Sequence, residues 1–431
     1  MSFDLLSATT LLFIAAISFS GLTIITCHVF MRDKTKQRQR RIRQRLLTVG
    51  VGTVVGAYII LQLVQVSHSS DSIPIQLMVW SFPFMLSITL LPYAFHDKRD
   101  RLLALVCVPV SLVLALLCIN SYYQYYPTLG SLFDKNDAVS KTSRQAPKAR
   151  QGRTPLEAYY APLPDQPKAG ELKVLAIPAS RHFSPRQGYI YLPPALHDNS
   201  SLELPVIVLL PGYPGSPVDW MHGGIEKIMN NFAAAHKGLA PIVAVVDFGG
   251  VAAQDTECID SKMGDVETYL AKDVPEYLKK NFQITSNPNT WSIAGYSAGG
   301  TCAAMIALRN PDVYRNYLNI TGDSQPTLGT PSQTLQKLYD NNVANQRAHT
   351  PNILLQQQKK PSYAKMRAGY YNASSDPQAQ TQRIAEQVRY AKSAGLHVRF
   401  KVLDGHHSFN VWKAGFEDGL PWLMQELNIY K

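Results

Sequence analysis

The sequence predicts an α/β fold, a doubly wound and mainly parallel sheet, preceded by a four-helix transmembrane domain. Three observations carry that expectation. Four long apolar runs occupy the first 120 residues. From about Glu171 onward, short β-rich runs alternate with helical stretches, the pattern of a parallel sheet covered on both faces. One run, Trp291-Ser292-Ile293-Ala294-Gly295-Tyr296, passes through Ser297-Ala298-Gly299 into Cys302 to Arg309, and so reads as strand, tight turn and helix, with Pro311 as the stop.

The chain has 431 residues, 46% hydrophobic and 17% charged, which is long for one compact domain. The expected division is a four-span membrane domain over 1–119, an extracytoplasmic linker over 120–168 and an α/β domain over 169–431. The apolar runs are Leu5 to Met31, Leu46 to Val66, Ile73 to Phe95 and Leu102 to Ile119. Each is about long enough to cross a ~30 Å hydrocarbon layer as a helix. A buried core helix explains any one of them, but four in succession point to a membrane. A signal peptide is not expected, since no basic segment precedes Leu5 and the first run is too long.

Charge sets the orientation. Arg32 to Arg45 holds eight Arg or Lys residues against the single acid Asp33, and the loop after the third run adds Lys98, Arg99 and Arg101. The start, Met1 to Asp4, and the loop Ser67 to Ser72 have neither Lys nor Arg. Positive loops stay in the cytoplasm, so both termini are expected outside, as in a multi-pass cell-membrane protein with an extracytoplasmic C-terminal domain. Much of the net charge of +11 is then a topology signal. The C-terminal domain shows no basic stripe with interleaved aromatics, so nucleic acid is not an expected partner. The five cysteines form no CxxC or Cys/His cluster, and neither a metal nor a cofactor is expected. In the linker, Tyr122-Tyr123-Gln124-Tyr125-Tyr126 suits the water–lipid interface.

The α/β domain opens with Leu172 to Pro178 and Gln187 to Leu192 as an antiparallel pair. Leu204 to Leu210 and Ala240 to Asp247 are continuous apolar runs, as central strands require. Gly224 to Ala235 and Val266 to Asn281 read as helices. After the Trp291 strand come strands at Tyr317 to Ile320 and Ala364 to Tyr371, then a helix at Gln378 to Ala394. Val398, Phe400 and Val402 alternate with polar residues, as in a strand nearer the edge. Functional groups in such sheets gather beyond the C-terminal strand ends.

The turn Gly295-Tyr296-Ser297-Ala298-Gly299 has the form of a nucleophile elbow. A serine on so sharp a turn lifts its hydroxyl above the sheet, and only glycine fits two places to either side. The bland alternative is a Gly/Ser turn with no chemistry. An alcohol nucleophile needs a base, and the base an orienting acid. Past the last strand stand Gly405-His406-His407-Ser408, with His407 as the base and His406 as fallback. Asp376 follows the preceding strand and is the acid; its alternative role is to cap the helix after Pro377. Asp323 is the second candidate for the acid. The N–H of Ala298 and that of Tyr213, in Pro211-Gly212-Tyr213-Pro214-Gly215-Ser216-Pro217, are the expected oxyanion donors.

These segments, with Gly405 to Trp412 and Leu420-Pro421-Trp422-Leu423, resemble the putative-esterase family of the α/β-hydrolases, which includes esterase D and the mycolyltransferases. The resemblance covers roughly 260 residues, and the four-span front end resembles membrane-anchored actinobacterial members. It implies an α/β-hydrolase fold, with Ser297 as nucleophile, Asp376 as acid and His407 as base. Pro211 departs from the His or Asp that many relatives carry before the glycine. In an exported domain Cys258 and Cys302 can form a disulfide; two buried thiols are the alternative. The bridge would bring the loop Asp255 to Lys262 to the elbow, where Glu257 and Asp260 could line a substrate pocket; a solvated acidic loop is the plainer reading. The expected activity is hydrolysis of a lipid or cell-envelope glycolipid ester, an aminoacyl-lipid being one example. Acyl transfer to a sugar hydroxyl uses the same residues, and a non-catalytic scaffold is the third reading. Oligomeric state is left open.

Overall fold

The computed structural model describes residues 8–31, 44, 47–53, 55–56, 75–94, 98–123, 155–196, 202–251, 254–282, 284, 286–357 and 361–430. The chain divides into two compact units, Met1–Asp134 and Lys135–Lys431.

The first unit contains the helices Ala8–Met31, Ile75–Ala94 and Lys98–Tyr123, and residues 47–53 are helical too. Leu22, Ile25, Val49, Leu90, Ala104 and Cys107 form its interior. The helices also meet through hydroxyls: Ser87 and Ser111 lie 3.0 Å apart, Thr53 and Thr89 3.1 Å. Polar contacts of this kind join helices in an apolar medium, where packing gains nothing from excluding water. Leu12, Phe13, Leu102, Leu105 and Leu116 are meanwhile exposed. Among the described residues one helix, Lys98–Ser121, is long and apolar enough to cross a membrane, and Leu11–Cys27 and Ser81–Pro92 are shorter apolar stretches. Most of the expected second span and of the expected linker lies outside the described residues.

Among its described residues the second unit has ten strands: β1 Glu171–Leu175, β2 Gly188–Leu192, β3 Val206–Leu210, β4 Ile242–Val245, β5 Asp260–Ser261, β6 Gly264–Asp265, β7 Trp291–Tyr296, β8 Asn316–Ile320, β9 Arg367–Ala373 and β10 His397–Leu403. Eight form one sheet in the order β1-β2-β4-β3-β7-β8-β9-β10, while β5 and β6 make a small separate hairpin. The leading pair is antiparallel, as expected, and β2 runs antiparallel to β4; from β4 to β10 all neighbours are parallel. All five residues of β3 and all six of β7 are buried, which explains the unbroken apolar run of β3 and the mostly apolar one of β7. β10 lies at the outer edge, and its pattern is mostly half-buried or exposed.

Register brings the C-terminal ends of four strands to one rim. Leu210 of β3 pairs with Gly295 of β7, Tyr296 with Ile320 of β8, and Ile320 with Tyr371 of β9. Beyond the rim, the Ser297 N–H donates to the Ile320 carbonyl at 2.9 Å, and Thr321 N–H to that of Tyr371 at 2.6 Å.

Three elements differ from expectation. β9 starts at Arg367 because Pro361–Lys365 is a short 3₁₀ turn, and Pro361 has no N–H to give to a ladder. The helix beginning at Val266 passes through a π-helical turn at Tyr269–Asp273 before resuming as Val274–Phe282. Between β8 and β9 the structure holds three helices, Pro331–Tyr339, Val343–Ala348 and Pro351–Gln357, and the unit ends with Phe409–Glu426, none of which the periodicity marks.

Candidate active site

Ser297 sits between β7 and the helix Ala298–Arg309 with φ +52° and ψ −128°. A non-glycine residue there is strained by about 1–3 kcal/mol, and the surrounding fold must hold it. The two glycines show how. A Cβ on Gly295 would lie 2.4 Å from the Gly299 carbonyl oxygen, and one on Gly299 would lie 2.0 Å from that of Pro211. Strand, helix and the Pro211 loop therefore meet at backbone distance directly beneath the serine.

His407 and Asp376 reach the same point from the ends of β10 and β9. His407 Nε2 is 3.0 Å from Ser297 Oγ, and its Nδ1 is 3.3 Å from Asp376 Oδ1. A carboxylate accepts, so Nδ1 carries the proton in the neutral ring and Nε2 accepts from the serine hydroxyl. The other oxygen, Asp376 Oδ2, accepts the Ala373 N–H at 2.8 Å, and the side chain is fully buried. Asp376 does not cap the following helix: Pro377 is the cap residue, without a side-chain bond. The two fallback residues are engaged elsewhere. Asp323 pairs with Arg383 at 2.9 Å, and His406 Nδ1 lies 3.0 Å from Ser375 Oγ.

The loop after β3 lies against the serine. A Cβ on Gly212 would be 2.6 Å from the Tyr296 ring and 3.1 Å from Ser297 Cβ. Ala298 is the first residue of its helix, so its N–H has no carbonyl within that helix to meet. The Tyr213–Pro214 bond is cis.

An aromatic floor supports the rim. Tyr296 stacks on Trp412 at 4.1 Å, and the Trp412 ring stands edge-on to His407 at 5.3 Å. Trp412 Nε1 donates to Thr321 Oγ1 at 2.7 Å, which fixes the indole.

Cys258 and Cys302 form a disulfide, with their Cα atoms 5.7 Å apart, and both are buried. The bridge joins the acidic loop to the helix that begins at the elbow. The acids of that loop have neighbours within the domain. Asp260 accepts from the Thr268 N–H at 2.9 Å and the Thr268 hydroxyl at 2.6 Å. Glu257 is buried; burial and then its charge raise the Tyr339 phenol pKa, which places it toward the helices between β8 and β9. The acid that faces the loop after β3 is Asp255: burial and then the Asp255 charge push the Tyr213 phenol up.

Sequence reasoning misses three more charged groups at the base of that loop. Arg186 pairs with the fully buried Asp247 at 2.7 Å and donates to the Gly215 carbonyl at 2.8 Å. Asp219 accepts the Ser216 N–H at 2.8 Å and the Tyr296 hydroxyl at 3.3 Å. Burial pushes the Asp219 carboxyl up to about 6, although the Ser216 N–H, the Tyr296 hydroxyl and the Arg186 charge pull it down. The local signal is weak: an aspartate after an apolar run marks a strand end, and an arginine before a strand marks nothing.

Comparison with known proteins gives the family and the fold. The Putative esterase family matches residues 181–423. An uncharacterized protein of Corynebacterium glutamicum is 34% identical over 338 residues, 78% of this chain and 78% of that one. That match is longer than the segment 169–431 and so reaches beyond the α/β domain. Among solved structures, a ferulic acid esterase aligns with TM-score 0.51 and 18% identity, over 60% of this chain and 98% of its own. An S-formylglutathione hydrolase from Agrobacterium tumefaciens aligns with TM-score 0.51 and 17% identity, over 61% and 98%. At such identities the likeness is one of fold, an α/β-hydrolase sheet. With its family match spanning more than half of its length, the chain belongs to the Putative esterase family.

Proposed function

We propose that this chain is a membrane-anchored serine esterase that acts outside the cytoplasm on an ester of a lipid or cell-envelope glycolipid. One observation carries the chemistry: the continuous contact from Asp376 through His407 to Ser297, at 3.3 and 3.0 Å, on a serine held in a strained turn. Ser297 attacks the ester carbonyl as His407 takes its proton, and Asp376 holds the imidazole and stabilises its charge. The N–H groups of Ala298 and Tyr213 receive the developing oxyanion, each contributing about 3 kcal/mol. His407 then protonates the leaving alcohol, and water, activated by the same imidazole, releases the acyl group.

The location rests on separate support. The basic segment 32–45, the apolar helix Lys98–Ser121 and the outward-facing leucines of the first unit suit a membrane. The Cys258–Cys302 bridge suits an oxidising compartment. A site carried on such a chain meets lipid-borne esters first, an aminoacyl-lipid among them. If a sugar hydroxyl replaces water in the second step, the same residues catalyse acyl transfer.

The test is labelling of the full chain by a fluorophosphonate, followed by product analysis with water and with trehalose as acceptors. Labelling of the wild type and not of Ser297→Ala supports the mechanism. An unlabelled wild type sinks it and favours a scaffold.

A further inference from the structure

The segment between β1 and β2 is tied down by three carboxylates. Asp273 accepts the Ser180 N–H at 2.8 Å, Asp265 that of His182 at 3.1 Å, and Asp247 that of Arg186 at 2.8 Å. This fixes the backbone where the Arg186 side chain departs. The guanidinium then acts in two directions. Its Nε and NH2 groups donate to Asp247 Oδ1 at 3.1 and 2.7 Å, and the same NH2 group donates to the Gly215 carbonyl at 2.8 Å. Asp247 is itself held by the Gly249 and Gly250 N–H groups at 3.2 and 2.9 Å and is fully buried.

Gly215 belongs to the loop that presses on the nucleophile. The loop is closely seated: Tyr213 packs against the hydrophobic core, and a Cβ on Gly215 would lie 2.1 Å from Asp219 Oδ2. Two side chains beyond Gly215 and Ser216 grip its backbone directly, Arg186 at the Gly215 carbonyl and Asp219 at the Ser216 N–H.

We propose that Arg186 is the positioning residue of the oxyanion loop: it grips the Gly215 carbonyl and so sets where the Tyr213 N–H points relative to Ser297. The proposal rests on the serine-esterase reading above. A planar fork serves a carboxylate and a carbonyl at once; a lysine ammonium, as a point donor on a flexible stem, holds one of them well. A merely structural ion pair would affect how much enzyme folds and leave the folded enzyme's turnover alone.

The experiment uses the full-length protein in detergent, with p-nitrophenyl butyrate as probe and active sites counted by fluorophosphonate labelling. Arg186→Lys is expected to lose about tenfold in kcat per active site, and Arg186→Met about a hundredfold, both with KM within about twofold of the wild type. Guanidinium chloride at millimolar concentration should restore much of the turnover of Arg186→Gly. Arg186→Lys keeps a cation opposite Asp247, so it serves if the other variants do not fold. Wild-type kcat per labelled site in Arg186→Lys and in every folded variant overturns the proposal while leaving the esterase reading intact. A wild type that neither cleaves the ester nor takes the label at Ser297 overturns that reading, and the proposal with it.

Discussion

Two carboxylates of the same domain, Asp219 buried and Glu267 partly so, are shifted in opposite directions. Asp219, at the base of the loop after β3, stands at about 6 because burial outweighs its hydrogen bonds. Glu267 lies under the helices between β8 and β9. Burial pushes it up as well, but hydrogen bonds from His349 and Arg309 outweigh that and bring it down to about 2. Arg309 Nε is 2.6 Å from Glu267 Oε1, and His349 Nε2 is 2.8 Å from Oε2. His349 Nδ1 lies 2.8 Å from the Asn345 carbonyl, so the ring is held from both sides. Partners prevail over burial at Glu267, and burial prevails over partners at Asp219. Ser297, with its positive φ, stands on the Asp219 side of the domain, since Tyr296 bonds to that carboxylate. Strain in a fold persists where the surroundings over-determine it and where function has a use for it.

Four measurements break or sharpen this contrast. The largest effect is chemical: Ser297→Ala should lower turnover at least ~10⁴-fold while leaving the melting temperature nearly unchanged. A variant that unfolds instead would make Ser297 a structural residue. Next, Glu267→Gln should cost about 4 kcal/mol at pH 7, since it leaves Arg309 and His349 facing a neutral amide. The sign follows from the lowered pKa: the Glu267 contribution is present above the unfolded value of 4.5 and fades as pH falls toward about 2. Melting curves of the two proteins should therefore converge in acid; a constant gap would contradict the ion network.

Asp219→Asn tests the opposite sign. A raised pKa stabilises fully below the unfolded value of 3.8 and is lost as pH rises through about 6. The advantage of the wild type over the variant should shrink by about 2 kcal/mol between pH 4 and 6. A difference independent of pH would show that burial does not dominate this group. The smallest effect is expected from Ser297→Gly, which relaxes the left-handed backbone and should stabilise by about 1 kcal/mol while abolishing activity. No gain in melting temperature would mean that the elbow stores no strain.

Much of the site was legible because its chemistry is local. Gly295 and Gly299 flank the serine at the spacing that backbone contact demands, and Asp376 and His407 each lie within four residues of a strand's end. Arg186 was not legible, because its partners are 61 and 29 residues away and nothing near it alternates or repeats. The surroundings of the acids in the 255–262 loop were not legible, for a conformational reason. Glu257 and Cys258 both have positive φ, so the chain reverses there and turns each side chain away from where an extended loop would put it. Of the helices between β8 and β9, one carries a local signal that the reading passed over: Thr330-Pro331-Ser332-Gln333 forms a capping box with Pro at its first position. The other two, of six and seven residues, are too short for a helical period to show.

The outermost strand bears on how copies meet. β10 ends the sheet, and His397, Arg399 and Lys401 recur at every second residue, so all three stand on one face of it. Arg399 pairs with Asp418 at 2.8 Å and Lys401 contacts the same carboxylate. Basic side chains on a terminal strand set like charge against like when the same edges of two copies approach, and this disfavours pairing through β10.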